Sequence, residues 1–286
     1  MSVDRAPHPA SDDVLPRYTA VIRAYEHTPL LEEVVARLRR QSVPPEAILI
    51  VDSSRDPAIT ARFAALADRV APYPDAEFNF SKAINVGVAA HDSPLTLIIS
   101  SHVMLEDDIL VAAGWTEARA HGCEVVFWTT HDTRYDVLIQ IDSRNFNGRN
   151  GISNSSALIP THLIRERPFR EEVFAAEDQE WTRYYLRRFR RPILRIEKKS
   201  VQYLNPNHGA TTWSETKLLN EELAIGHFVN RRLIMPDRIV ARILRGILAT
   251  VRHRPDRARL HFSIAKALLL ANFRPPKKQS RYFGNE

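Results

Sequence analysis

The stretch from Tyr18 to Asp52 reads YTAVIRAYEHTPLLEEVVARLRRQSVPPEAILIVD. It begins with β-branched and aromatic residues, which are typical of a strand. Thr28-Pro29 then combines a favoured N-cap with proline at the first helical position, and leucines and valines follow at helical spacing. Pro44-Pro45 ends the helix, and the run Ala47–Asp52 (AILIVD) predicts a strand buried on both faces. The stretch therefore predicts a β-α-β unit.

The same alternation continues along the chain and predicts an α/β fold with a mostly parallel sheet flanked by helices, joined by right-handed crossovers. Hydrophobic periodicity predicts the further elements. The helices are expected near 57–67, 81–90, 107–120 and 179–189, and the strands near 70, 95–100, 124–129, 136–142, 157–160 and 192–204.

Composition excludes several classes of protein. The chain has 286 residues, of which 44% are hydrophobic, so it can bury a large core and is not a disordered protein. A single cysteine, Cys123, excludes an intramolecular disulfide and a cysteine-cluster zinc site, and favours a reducing compartment. Residues 1–16 are polar, so a flexible N-terminus without a secretory signal is expected. No apolar run is long enough to span a bilayer. These features predict a cytoplasmic protein.

The positive charge is concentrated at the end of the chain. The net charge is +6, yet residues 231–286 alone contain 14 Lys and Arg against 3 Asp and Glu. We therefore predict a body at 17–225 and a basic helical extension at 226–286, with helices near 240–251 and 260–273. The extension could pack on the body, contact an anionic membrane surface on the inner face, or form an oligomer. Nucleic acid is not favoured, because aromatic residues are sparse there and no recognition motif occurs.

Ligands of open parallel sheets bind at the carboxyl ends of the strands. Three segments follow predicted strands and carry polar side chains: Arg23–Glu26, Asp52–Ser54 and Ser100–His102. No glycine-rich dinucleotide or triphosphate loop is present. The chemistry therefore depends on these strand ends and on the polar segment near 143–156.

Three blocks of the sequence carry a resemblance to a known family. They are VIRAYEHTPLLEEVVARLRRQSVPPEAILIVDSS (21–54), FNFSKAINVGVAAHDSPLTLIISSHVMLEDD (78–108) and GISNSSALIPTHLIRERPFREEVFAAEDQEW (151–181). In this order they resemble the nucleotide-binding start, the Asn-x-Gly helix with the Asp-x-Asp strand, and the acceptor region of family 2 glycosyltransferases with the GT-A fold, of the rhamnosyltransferase or surface-polysaccharide type. The resemblance implies a donor half at about 17–130 and an acceptor half at about 131–225.

The resemblance also implies roles for individual residues on the donor side. Asp52 would lie near the nucleobase of a sugar nucleotide. The loop Arg23–Glu26, with Tyr25 and Glu26 among its members, would contact the base and ribose. Lys82 and Asn85 would lie near the base, ribose or phosphates.

On the acceptor side, Asp178 falls where inverting members of the family keep a general base. A carboxylate within hydrogen-bond reach takes the proton of the attacking hydroxyl. Glu177 would orient the loop or a donor hydroxyl, and Trp181 would pack against a sugar face. Asn154 and Ser155 are candidates for contacts with the acceptor sugar.

The chain departs from the family pattern where the Asp-x-Asp motif is expected. Ser100-Ser101-His102 stands there instead, and two hydroxyls with an imidazole supply no negative charge to Mg²⁺ or Mn²⁺. One alternative is a rebuilt metal site with His102 and His208 as ligands. The other is direct stabilisation of the diphosphate by Arg23, Lys82 or a protonated His102.

The resemblance implies a glycosyltransferase that moves a sugar from a nucleotide donor to a hydroxyl of a glycan or lipid-linked acceptor, with inversion at C1. One rival hypothesis is a sugar-nucleotide-binding or scaffolding protein that has lost catalysis with its Asp-x-Asp motif. The other is a basic binding protein that acts through residues 231–286.

Overall fold

An eight-stranded mixed sheet forms the centre of the protein. The computed structural model describes residues 14–130, 135–173, 175–204, 215–230 and 236–271. The described residues contain ten strands, of which β5 and β10 form a separate pair. They are β1 Tyr18–Ala24, β2 Ala47–Asp52, β3 Arg69–Pro72, β4 Leu95–Ser100, β5 Val103–Leu105, β6 Val126–Thr130, β7 Val137–Ile141, β8 Ser156–Pro160, β9 Ile193–Lys198 and β10 Val201–Tyr203.

Helices cover both faces of this sheet. They are α1 Pro29–Arg40, α2 Pro57–Leu66, α3 Phe80–Ala89, α4 Leu110–Ala120, α5 Thr161–Glu166, α6 Glu177–Arg188, α7 Glu215–Ala224, α8 Pro236–Val251 and α9 Pro255–Ala271. One core lies between the sheet and α1, α2 and α4, and includes Leu31, Phe63 and Trp115. The other lies between the sheet and α3, α5 and α6, and includes Ile84, Leu163 and Trp181.

The strand order explains where a ligand site can form. The order is β3-β2-β1-β4-β8-β6-β9-β7, in which β3, β2, β1 and β4 are parallel neighbours. Their carboxyl ends therefore lie at one edge. The next strand, β8, is antiparallel to β4 and pairs Ser156 with Ile99. This register brings the loop before β8 to the same edge as the residues after β1 and β4.

The predicted α/β fold with a mostly parallel sheet is confirmed, and β2 and β4 have the predicted bounds. The sequence did not predict that β8 runs antiparallel to β4 and β6, or that β7 runs antiparallel to β9. It also did not predict the small two-stranded sheet of β5 and β10. Strand direction depends on which partner a segment meets, and an apolar run of four or five residues carries no information about it.

Gly87 allows α3 to lie directly on β1. A Cβ atom at this position would come within 2.3 Å of the Val21 side chain. Real Cβ atoms do not approach so closely, and any side chain here would push the helix away from the strand. The close approach fixes the C-terminal half of α3 against the middle of β1. At the other end of the helix, the Phe80 ring lies beside Arg23 near the carboxyl end of the strand.

The predicted helical character of the C-terminal segment is confirmed. A five-residue π-helical segment, Ile225–Val229, extends α7, and α8 and α9 pack against each other as a helical hairpin. Within the part of the chain that the structure describes, no helix is long and apolar enough to cross a membrane.

Candidate functional site

A cavity of about 840 Å³ opens at the edge where β1, β4 and the loop before β8 meet. The donor-side candidates that line it are the residues after β1 and β4, and the N-terminus of α6 forms another part of the wall. Eight of the sequence-predicted site residues in this wall come from the strand ends and from α6. They are Arg23, Tyr25, Glu26, Ser100, Ser101, His102, Glu177 and Asp178. The structure thus brings together segments that are more than 150 residues apart in the sequence.

Arg23 supplies a fixed positive charge at the carboxyl end of β1. Its guanidinium donates to the carbonyl oxygen of Asn154 at 2.9 Å and lies 3.4 Å from the Ser100 hydroxyl. It also lies over the ring of Phe80, 5.3 Å from the centroid. These contacts hold the cation in the cavity wall, where anionic groups of a ligand would be attracted to it.

The residues after β4 turn sharply and lead into β5. Ser100 is buried, whereas Ser101 and His102 are partly exposed to the cavity. The His102 ring packs edge-on against Tyr203, with the ring centroids 4.6 Å apart, and Tyr203 also lines the cavity. The β5-β10 pair therefore sets the position of the imidazole.

Two acidic residues begin α6. The preceding residue, Ala176, has the left-handed conformation with φ 56° and ψ 34°, which is uncommon for a residue with a Cβ atom. Such backbone strain persists where the surrounding structure enforces it, and it is concentrated at functional sites. The turn places both Glu177 and Asp178 in the cavity wall.

Asp178 is a half-buried carboxyl group in an unfavourable environment for its charge. Burial and the neighbouring Glu177 carboxylate raise the pKa of Asp178 to about 8, although the backbone N–H groups of Gln179 and Asn154 oppose this shift by donating to it. Glu177 is itself held by the Asn154 side chain, whose Nδ2 donates to Oε1 at 3.0 Å. A carboxyl group with a pKa near the working pH is suited to exchange protons with a bound hydroxyl.

Asn154 also offers an acceptor atom to a ligand. Its side chain is buried and lines the cavity, and its Oδ1 has no hydrogen-bond partner among the residues that the structure describes. A buried polar atom without a partner is costly unless a ligand or water satisfies it. Ser155 lines the cavity beside it, with its hydroxyl 2.6 Å from that of Ser153.

The loop at 151–152 is locked to α6 by three hydrogen bonds. Gln179 Oε1 accepts from Gly151 N–H at 2.8 Å, Gln179 Nε2 donates to the Ile152 carbonyl at 2.9 Å, and Thr182 Oγ1 accepts from Ile152 N–H at 2.9 Å. Asn154 lies two residues further along the chain. This lock fixes the distance between Asn154 and the acidic pair.

Gly151→Ala should disturb the hydrogen bonds between this loop and α6, although Gly151 does not itself line the cavity. A Cβ atom at Gly151 would lie 2.5 Å from Thr182 Oγ1 and 2.7 Å from its Cβ, so the loop or the helix must move. Overpacking of this kind costs about 1–3 kcal/mol of unfolding free energy. We expect turnover to fall by about 10-fold, as misplacement by a fraction of an ångström does. Chemical denaturation and steady-state kinetics measure the two effects. Unchanged turnover in a destabilised variant would contradict the positioning role.

Four predicted site residues do not line the cavity. Asp52 is buried and accepts from Ser54 N–H at 2.8 Å and from the hydroxyls of Ser54 and Thr60, so it caps the turn after β2. Lys82 pairs with Asp75 at 2.5 Å. The predicted donor contacts of these two side chains are therefore not supported by their positions.

The other two residues belong to the packing around α6 and α3. Asn85 exchanges hydrogen bonds with the backbone N–H and carbonyl of Phe169, at 3.0 and 2.8 Å, and so ties α3 to the loop before α6. The predicted sugar contact of Trp181 is wrong, because its side chain is 0% exposed and stacks between Phe169 and Tyr185. The helical spacing after Asp178 points this indole into the core.

Sequence reasoning missed two charged residues of the cavity. Arg149 lies in the polar loop before β8, and Glu221 lies on α7. Arg149 pairs with Glu222, and its other terminal nitrogen lies 3.8 Å from Glu221. No local pattern marks either residue, because α7 reaches the cavity only through the tertiary fold.

The residues in place of Asp-x-Asp do not fit a hard divalent cation. Mg²⁺ and Mn²⁺ prefer carboxylate oxygens, and Ser100-Ser101-His102 offers none. The Arg23 guanidinium already lies against Ser100, where a second cation would be repelled. Within the described ranges no group of three or more His, Cys, Asp or Glu residues could hold a metal ion. His208, the other predicted ligand, lies outside the described residues.

Comparisons with known proteins identify the fold. No family model matches the chain, and no curated protein matches it. Among solved structures, the mannosyltransferase PcManGT from Pyrobaculum calidifontis, in complex with GDP-Man and Mn²⁺, aligns with a TM-score of 0.58 at 13% identity, over 96% of this chain and 90% of that one. Glucosyl-3-phosphoglycerate synthase from Mycobacterium tuberculosis, in complex with Mn²⁺, UDP and glucosyl-3-phosphoglycerate, aligns at 0.53 and 14% identity, over 79% and 87%.

A third similar structure is TarS 1–349 from S. aureus, with a TM-score of 0.50 at 15% identity, over 90% of this chain and 89% of that one. At these identities the similarity concerns the fold. The sheet order, the flanking helices and these alignments agree with the resemblance seen in the sequence. The chain therefore has the GT-A fold of glycosyltransferases.

Proposed function

We propose that this protein is a glycosyltransferase that transfers a sugar from a nucleotide-sugar donor to a hydroxyl group, with inversion at C1 and with Asp178 as the general base. The observation that supports this most strongly is the shared cavity of Arg23 and Asp178. One residue supplies positive charge at the strand edge where the fold binds ligands, and the other supplies a carboxyl group that exchanges protons near neutral pH.

The proposed reaction is a single displacement. Asp178 takes the proton of the acceptor hydroxyl as its oxygen attacks C1 of the donor sugar. The bond between C1 and the diphosphate oxygen breaks on the opposite side, and the nucleoside diphosphate leaves with the electron pair. Direct attack inverts the configuration at C1, and one carboxylate base suffices for it.

Arg23 would carry the electrostatic part of this reaction. The leaving diphosphate gains negative charge in the transition state, and a guanidinium held by Asn154 and Ser100 stabilises that charge without rearrangement. Of the three cations that the sequence suggested, Lys82 pairs with Asp75 away from the cavity. Arg23 and His102 both line the cavity, but the guanidinium is always charged whereas an imidazole is charged only when it is protonated. We therefore propose that Arg23 takes the role that Asp-x-Asp and its metal have in other members of the family.

Calorimetric titration with UDP-, GDP- and dTDP-sugars, each with Mn²⁺, with Mg²⁺ and with EDTA, tests the proposal. We expect one nucleotide class to bind, and to bind equally in EDTA. Binding that is followed by no transfer to any hydroxyl acceptor would favour the scaffolding alternative, for which the absence of Asp-x-Asp is the supporting observation. No binding under any condition would refute the donor assignment.

Glu177→Gln should shift the pH dependence of the reaction rather than abolish it. The Glu177 carboxylate is one cause of the raised pKa of Asp178, whose burial is the larger cause. Wild-type kcat/KM should therefore rise with pH toward a midpoint near 8, and the neutral variant should have its midpoint at lower pH. The glutamine can still accept from Asn154 Nδ2, so the loop should remain in place. Identical pH profiles for the two proteins would contradict the coupling.

A further inference from the structure

The hairpin of α8 and α9 presents a continuous apolar stripe to its surroundings. α8 packs its small residues Gly246 and Ala249 against α9, and the Phe262 ring would lie only 2.8 Å from a Cβ atom at Gly246. Six large apolar side chains on the other side of α8 are 39–70% exposed. They are Val240, Ile243, Leu244, Ile247, Leu248 and Val251, and these six residues form the stripe.

The spacing of these six residues confines them to one face of the helix. Three apolar residues of α9, Phe262, Leu269 and Leu270, are also about half exposed. Single exposed apolar side chains are ordinary on a protein surface, but a contiguous group of this size marks an interaction site. No residue that the structure describes covers the stripe.

The charge of the hairpin is strongly positive. Residues 236–271 contain eight Lys and Arg and two Asp. Arg245 and Arg252 are exposed, and their helical positions place them beside the Leu248 edge of the stripe. An apolar face bordered by arginines is the pattern of a helix that lies in a bilayer interface, where the side chains insert and the cations meet anionic headgroups.

The opposite side of α8 is fixed to the cavity wall. Glu222, which is 3% exposed, pairs with Arg242 and with Arg149, the cavity residue, and lies 3.5 Å from Arg238. The Arg238 guanidinium also donates to the carbonyl oxygen of Asn147 at 3.2 Å. These contacts lower the pKa of Glu222 despite its burial, so it remains ionised and holds the hairpin in place.

We propose that the α8-α9 hairpin docks the protein on an anionic lipid surface through this stripe. Charge complementarity favours lipid over a second copy of the chain, because two copies of the same arginine-bordered face would bring like charges together. If the proposed transfer activity is correct, this docking holds the cavity at a fixed distance from a lipid-linked acceptor. The docking itself does not depend on that activity.

Co-sedimentation of the full chain with vesicles tests the docking. Phosphatidylcholine vesicles serve as the neutral surface, and the same vesicles with phosphatidylglycerol serve as the anionic surface. We expect binding to the anionic vesicles that weakens with salt. Leu244→Asp should lower the partition constant at least 10-fold, because the stripe can no longer insert. Ile109→Asp is the matched control, since Ile109 is 54% exposed against 60% for Leu244 but lies outside the hairpin; its binding should be unchanged.

Both substitutions are at exposed positions, and thermal melting will show that the variants are folded. Wild-type protein that binds neither vesicle, or a Leu244→Asp variant that binds as wild type does, would overturn the proposal. A dimer in light scattering that Leu244→Asp dissociates, without vesicle binding, would instead identify the stripe as a contact between copies. Vesicle binding that appears only after removal of residues 272–286 would show that this segment covers the stripe, and would also overturn the proposal. The assay requires no donor, so its outcome is independent of transfer activity.

Discussion

Asp178→Asn is expected to lower turnover by about 100-fold or more, with the dissociation constant of the donor changed by no more than about two-fold. The asparagine has nearly the same shape as aspartic acid and can still accept from the backbone N–H of Gln179, which lies 2.7 Å from Oδ1. It cannot take a proton from the acceptor hydroxyl. Single-turnover kinetics and donor titration measure the two quantities separately. Unchanged turnover would remove Asp178 from the role of base.

The same substitution should stabilise the fold at alkaline pH. The pKa of Asp178 in the folded protein, about 8, lies above its ordinary value of 3.8. Between these values the folded chain holds a proton that the unfolded chain has released, so the contribution of this group to stability is present at low pH and is lost as pH rises through 8. Asparagine does not titrate. The variant should therefore melt above the wild type at pH 8, and the difference should shrink toward pH 4.

Glu177→Gln is the matched control for this experiment. It removes a carboxylate one residue away, from the same turn of α6 and the same cavity wall. We expect it to retain most of its turnover above pH 8, where Asp178 of the wild type is ionised. An equal loss of turnover in both variants would indicate that the negative charge of the pair matters, rather than proton transfer by Asp178.

The sequence predicted the parallel half of the fold well because its signals are local. Thr28 caps α1 by accepting from Leu31 N–H, and Pro29 occupies its first turn, as the pattern indicated. The fully buried strands β2 and β4 are continuous apolar runs. Each of these features depends on neighbours in the sequence, so propensity and periodicity are sufficient to locate it.

The candidate site was predicted less completely because side-chain direction depends on tertiary contacts. The prediction that Asp52 lies at a strand end is correct. Nothing in the sequence indicated that the hydroxyl of Thr60, one helical turn into α2, would donate a hydrogen bond to the Asp52 carboxylate. Lys82 likewise forms an ion pair with Asp75 in the loop before α3, which the sequence did not predict. Arg149 and Glu221 show the converse, since nothing in their surrounding sequence predicts that a C-terminal helix completes the cavity wall.

Arg23→Met is expected to weaken donor binding by about 100-fold, because a guanidinium paired with a diphosphate in a partly desolvated cavity contributes about 2–5 kcal/mol. Methionine keeps much of the length of the side chain and its contact with Phe80, so the strand end should remain folded. Arg23→Lys should restore part of the affinity. An ammonium keeps the charge but cannot hold Ser100 and the Asn154 carbonyl in the fork geometry of arginine.

Lys82→Met is the matched control, since it removes the same charge from a residue that the sequence assigned to the donor but that pairs with Asp75 outside the cavity. We expect its donor affinity to change by less than about two-fold, because an exposed ion pair contributes little. Titration of all three variants with the donor in EDTA distinguishes a diphosphate held by the Arg23 guanidinium from one held by a metal ion. If EDTA abolishes binding by the wild type, or if Arg23→Met binds the donor as tightly as Lys82→Met does, the diphosphate is held by a cation other than Arg23. If binding survives EDTA and falls only in the Arg23 variants, the guanidinium holds the diphosphate without a metal, at the strand end where the family that the sequence resembles has Asp-x-Asp.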